Sequence, residues 1–154
     1  MKSYEFLKNE EFTRIVHQTL ERVLSLLLKN GVPFSILTNI ARVNFEPKPP
    51  LLVTQKFEPF TLFVLENYTF SSAKLTDDCL TFEAGFGENN FASLVSVPLG
   101  AILRIVIEDL PIFLNMSIDT IKPAQQKTSK KEDNLKNSLE ALLNNPENKN
   151  LFKK

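Results

Sequence analysis

The stretch Leu80–Asp109, "LTFEAGFGENNFASLVSVPLGAILRIVIED", decides how this chain folds. Its first part alternates. Leu80, Phe82, Ala84 and Phe86 fall on one side of an extended strand, and Thr81, Glu83, Gly85 and Gly87 fall on the other. Gly87–Asn90 then reads as a turn, because glycine and asparagine tolerate left-handed backbone. "ASLVSVP" (Ala92–Pro98) returns as a second strand. Pro98 reads as the opening of a short helix, "PLGAILRIVIED", that stops at Asp109–Leu110–Pro111. The strand carries phenylalanines and glycines and no candidate catalytic group. Glycines let a second backbone come close, and a small Ala84 between two phenylalanines leaves a dent for a side chain. Equally, all four apolar residues can fill a core while the glycines permit bending.

Upstream, "NEEFTRIVHQTLERVLSLLLKNG" predicts a helix of about five to six turns, capped by Asn9, with Glu10 and Glu11 in its positive first turn and Gly31 then Pro33 as its stop. Its apolar positions are Phe12, Ile15, Val16, Leu20, Val23, Leu24 and Leu27, with Leu26 and Leu28 spilling off that face. Two readings stay open for so wide a stripe. The helix lies on a sheet with ordinary spill-over, or it meets both a sheet and a second copy of itself through Val16, Leu20, Val23, Leu24 and Leu27.

After the helix the period changes to that of strands. Phe34–Phe45, Phe60–Phe70, Ala73–Phe86 and Ala92–Pro98 are β-rich runs separated by "EPKPPLL", "TDD" and "GENN", with Asp77–Asp78 turning one hairpin. The pattern predicts an antiparallel meander behind an N-terminal helix, an α+β fold. "IFLNMSI" is either an edge strand or a packed extension.

With 154 residues the chain is one domain plus appendages, large enough to fold without disulfides or metal. Cys79 is the single cysteine, so no internal disulfide forms and a reducing cytoplasm is the expected compartment. The longest apolar run, Val23–Leu28, is far shorter than the roughly 20 residues of a membrane span, so a soluble protein is expected and no membrane partner. Formal neutrality hides an asymmetry. Residues 1–121 hold 10 Lys and Arg against 14 Asp and Glu, whereas residues 122–154 hold 8 against 4. The division is therefore a domain over 1–121 and a flexible tail over 122–154. Within the tail, Ser129–Glu132 forms a capping box ahead of Leu135, Leu139, Leu142 and Leu143 at helical spacing. Leu151 and Phe152 stand in an otherwise polar terminus.

The search for chemistry finds little. His17 is the only histidine, so no histidine triad or multi-histidine metal site can be built. Adjacent Asp77 and Asp78 would point apart in a turn, which does not suit paired acid and base work. "GFGENN" has G-x-G but lacks the third glycine and lies between strands, so it is not a dinucleotide loop. No basic cluster interleaved with aromatics marks the domain for nucleic acid. Neither an enzyme nor a cofactor is expected.

The piece "AKLTDDCLTFEAGFGENNFASLVSVPLGAILRI" resembles the strand-turn-strand-helix core of the stringent starvation protein B family, bacterial adaptors that bring tagged substrates to the ClpXP protease. The pattern Leu80-x-Phe82-x-Ala84-x-Phe86-Gly87, the "VSVP" of Val95–Pro98 and the apolar run Leu99–Ile107 carry the likeness, which covers roughly residues 10–120. The turn "GENNFAS" is longer than the family's usual one, and Gly85 stands where many members carry an arginine. The resemblance implies a small Sm-like or SH3-like open barrel with a peptide groove, a homodimer and a tail that docks on the unfoldase ClpX. On that reading the groove for ssrA-type tags uses Leu62, Val64, Tyr68, Phe70, Phe82, Ala84, Gly85, Phe86 and Gly87. Leu151, Phe152, Lys153 and Lys154 are similar to the family's apolar-then-basic docking peptide. Holding tag and protease at once raises the effective concentration of substrate toward about the millimolar range, with no catalytic group required. The alternative keeps the fold and changes the role, to an Sm-like regulatory protein that binds another peptide or RNA.

Overall fold

The computed structural model describes residues 2–76 and 78–116 as an α+β fold, an N-terminal helix packed against two four-stranded antiparallel sheets. A single turn, α1 (Ser3–Phe6), precedes the long helix α2 (Glu10–Lys29). Asn9 caps α2 as its sequence predicts: the Phe12 N–H donates to Asn9 Oδ1 at 3.0 Å. At the other end Asn30 Nδ2 donates to the Leu26 carbonyl at 2.8 Å, and Gly31 takes the left-handed conformation with φ of 67°. Leu20, Leu24 and Leu27 turn inward and are buried.

The strands follow as β1 (Phe34–Asn39), β2 (Asn44–Glu46), β3 (Phe60–Leu65), β4 (Lys74–Thr76), β5 (Cys79–Phe86), β6 (Phe91–Pro98), β7 (Ile102–Ile107) and β8 (Leu110–Leu114). One sheet has the order β3-β1-β7-β8 and the other β2-β6-β5-β4. The chain crosses between sheets four times, through the 3-10 turns Ile40–Arg42 (β1 to β2) and Leu99–Ala101 (β6 to β7) and through the segments before and after β3. Short helices α3 (Leu51–Thr54) and α4 (Asn67–Ser72) flank β3. Phe34, Ile36, Phe63, Leu65 and Ile105 of the first sheet meet Leu80, Phe82, Val95 and Val97 of the second, and the inward leucines of α2 close the cluster with Leu99 and Ala101. The two sheets do not close into a barrel among the described residues.

Three expectations need correction. The short helix predicted from Pro98 to Asp109 is a single 3-10 turn followed by strand β7. Pro98 ends β6 in extended backbone rather than opening a helix. The apolar run beyond it is rich in β-branched Ile102, Ile105, Val106 and Ile107, and a continuous apolar run does not by itself tell strand from helix. The run Phe34–Phe45 is not one strand, because Asn39 Oδ1 accepts from the Ala41 N–H at 3.2 Å and sets the turn that separates β1 from β2. The run Phe60–Phe70 stops as a strand at Leu65, so Tyr68 and Phe70 lie on α4. "IFLNMSI" contributes an edge strand, β8, whose end is fixed by buried Asn115: its backbone N–H donates to the Leu103 carbonyl at 2.7 Å and its Nδ2 to the Ile102 carbonyl at 3.0 Å.

Asp77, the 121/122 division, the capping box at Ser129–Glu132 and the peptide Leu151–Lys154 lie outside the described residues. Among the described residues no helix is long and apolar enough to cross a membrane.

Candidate functional site

Strand β5 is paired along its full length with β6, from Cys79↔Pro98 to Phe86↔Phe91. Its other side is covered by β4 only from Cys79 to Thr81. Beyond Thr81, α4 takes over for one contact: the Glu83 N–H donates to Ser72 Oγ at 2.9 Å. A residue whose N–H points at α4 points away from β6, and antiparallel alternation gives Gly85, two residues on, the same direction. The Gly85 backbone groups therefore lie on an uncovered strand edge, bounded by α4 on one side and the turn Gly87–Asn90 on the other.

The outward face beside this edge is shallow. Gly85 pairs with Ala92 across the ladder, two positions of little bulk, and Glu83 pairs with exposed Leu94. Tyr68 stands at the rim, 69% exposed, and its hydroxyl donates to Glu83 Oε2. That carboxylate raises the Tyr68 phenol above its ordinary value, chiefly by accepting the hydrogen bond, then by its negative charge, with desolvation adding least. A side chain at Gly85 would overlap Asn90 Oδ1, so the close neighbour its glycine admits is the chain's own Asn90. Gly87 is fixed by two demands, a φ of 75° and Val53 Cγ2 lying 2.9 Å from where a Cβ would sit.

The inward face of β5 does something else. Phe82 is fully buried against Phe63, with ring centroids 5.7 Å apart. Half-buried Phe86 meets Phe45, Phe57 and Phe63 at 5.6, 5.7 and 6.3 Å, an aromatic cluster that fills the space between the sheets. Ala84 packs partly buried on the same side. The cluster's loop is tied down where Ser93 Oγ donates to the Pro47 carbonyl at 2.7 Å.

The residues singled out from the sequence thus divide. Tyr68, Gly85 and Gly87 surround the open edge. Phe82, Ala84 and Phe86 face the interior, and Phe70 anchors α4 by an edge contact to Phe34 at 6.1 Å. Leu62 and Val64 are exposed on the outer face of the other sheet. Of the α2 set, Leu20, Leu24 and Leu27 are buried within the chain and Val23 packs half-buried on the core, while the exposed apolar residues of that helix are Ile15 and Leu26. Sequence reasoning missed Ala92 and Leu94. Both follow from carrying the alternation of β5 across the turn, which pairs Gly85 with Ala92 and Glu83 with Leu94.

The site offers backbone donors and acceptors, a phenol and a carboxylate. Cys79, at the far end of β5, is a thiol held up by burial, an effect that a Val97 backbone hydrogen bond offsets only in part. His17, on α2, lies beside Gly100, with its Nε2 buried and unpartnered among the described residues. No group of three potential metal ligands forms among the described residues. No protein-family model matches the chain, and no curated protein does.

Proposed function

We propose that this chain is a non-enzymatic adaptor that binds polypeptides carrying an ssrA-type degradation tag and delivers them to ClpXP. The observation that carries the binding step is the uncovered edge of β5 at Glu83–Phe86, shallow at Ala92, with Asn90 beside Gly85 and Tyr68 and Leu94 at the rim. An extended tag adds there as a further strand, taking main-chain hydrogen bonds from the edge, while alternate side chains settle on the shallow outward face. In this reading the two sheets and their 3-10 corners are an opened Sm-like barrel, and α2 pairs two copies through its outer apolar residues Ile15 and Leu26. The terminal peptide Leu151–Lys154 engages ClpX.

Fluorescence anisotropy with a labelled ssrA-type tag peptide and the full chain tests the proposal. Saturable binding is expected, and Ala92→Arg, which fills the shallow face without entering the core, weakens it by tenfold or more. Absence of saturable binding by the wild-type chain overturns it.

A further inference from the structure

The outer face of the β3-β1-β7-β8 sheet carries two rows of largely apolar side chains whose members on the edge strands β3 and β8 are exposed among the described residues. Register places Leu62, Leu37, Arg104 and Leu114 in one row and Val64, Ser35 and Val106 in the next, with Ile112 beside them. Leu62 and Val64 are each 51% exposed and Leu114 53%, so the face is apolar at both edges, while half-buried Leu37, Ser35, Arg104 and Val106 make up its centre. A soluble domain leaves so wide a patch open where something binds it. In the middle of this face stands Arg104, whose Nε is buried and has no hydrogen-bond partner among the described residues. A cation set in the middle of an apolar face favours an occupant that brings a carboxylate.

We infer that this face is the docking site of the chain's own segment 129–143. Three observations select that occupant. The described chain ends at residue 116, just past β8, the edge strand of this very sheet. The twelve residues 117–128 reach at most about 40 Å, and the face is about 14 Å across its four strands, so the segment arrives without strain. Glu132, Leu135, Leu139 and Leu142 fall on one helical stripe, which lays three leucines on the apolar rows and heads them with a carboxylate for Arg104. Docking covers the sheet, places a carboxylate beside Arg104 and shortens the tether to the last eleven residues.

Paramagnetic broadening tests this on the full chain. Cys79→Ser with Asn137→Cys puts one nitroxide on the side of the segment opposite its leucines. Methyl resonances of Leu62, Val64, Val106 and Leu114 lose most of their intensity, while those of Leu80 and Val95 in the other sheet keep theirs. The effect persists when labelled chains are diluted into unlabelled, isotope-free ones, and Leu139→Asp with Leu142→Asp abolishes it. Unbroadened outer-face methyls overturn the inference. So does broadening found only between molecules, which would make a second copy the occupant.

Discussion

Gly87 and Gly85 sit two residues apart in one strand ending, and the structure asks different things of them. Gly87 combines a left-handed backbone with the close approach of Val53, so Gly87→Ala is expected to cost about 1–3 kcal/mol of stability in urea unfolding. Gly85 meets only the amide of Asn90, an exposed side chain able to swing away, so Gly85→Ala is expected to stay within about 0.5 kcal/mol of wild type. Equal losses at both positions would mean that β5 is not built as described. Tyr68 gives a second test at the rim of the site. Its pKa is raised in the folded chain, so the associated stability is present below the ordinary phenol range and is lost as pH rises through the folded value. Glu83→Gln removes the charge, and the Tyr68 titration, read as phenolate absorbance in a Tyr4→Phe background, falls toward the ordinary value. An unmoved midpoint would show that Glu83 is not the cause.

Helix α2 was legible down to its cap, because Asn9, the paired glutamates and the Gly31 stop each act locally. Which of its apolar residues face inward was not legible, since Leu20 and Leu26 look alike until the sheets beneath are known. The structure separates them: Leu20 is fully buried and Leu26 is 61% exposed. Leu20→Ala is therefore expected to cost about 2–5 kcal/mol. Leu26→Glu leaves the unfolding midpoint nearly unchanged and, in light scattering, converts a dimer to a monomer; a monomer mass for the wild type at micromolar concentration removes α2 as a dimer interface. The run Leu99–Ile107 failed for another reason. Its residues are buried on both sides of a sheet corner, so no polar period survives to distinguish strand from helix, and the β-branched isoleucines were the signal to weigh. The turn Gly87–Asn90 of the hairpin β5–β6 was legible because it is local. The location of Leu62 and Val64, on a different sheet from Gly85, depends on the crossing through α4 between β3 and β4, which no alternation pattern announces.

The proposed adaptor role requires the chain to bind with one part and deliver with another, and the two should be separable. Deleting residues 148–154 is expected to leave tag binding by anisotropy unchanged, because the open edge of β5 lies far from the terminus in sequence and is built by elements complete before residue 116. Replacing Leu151 and Phe152 with Ser should act on delivery almost as strongly, since burying two such side chains is worth about 3–5 kcal/mol and the charges of Lys153 and Lys154 alone are screened by salt. The central claim is that this molecule hands tagged chains to ClpXP, and the rate at which ClpXP degrades an ssrA-tagged reporter, well below substrate saturation, tests it most directly. The account predicts acceleration by the full chain, lost on deletion of 148–154 and on Ala92→Arg. A rate identical with and without the full chain would contradict it.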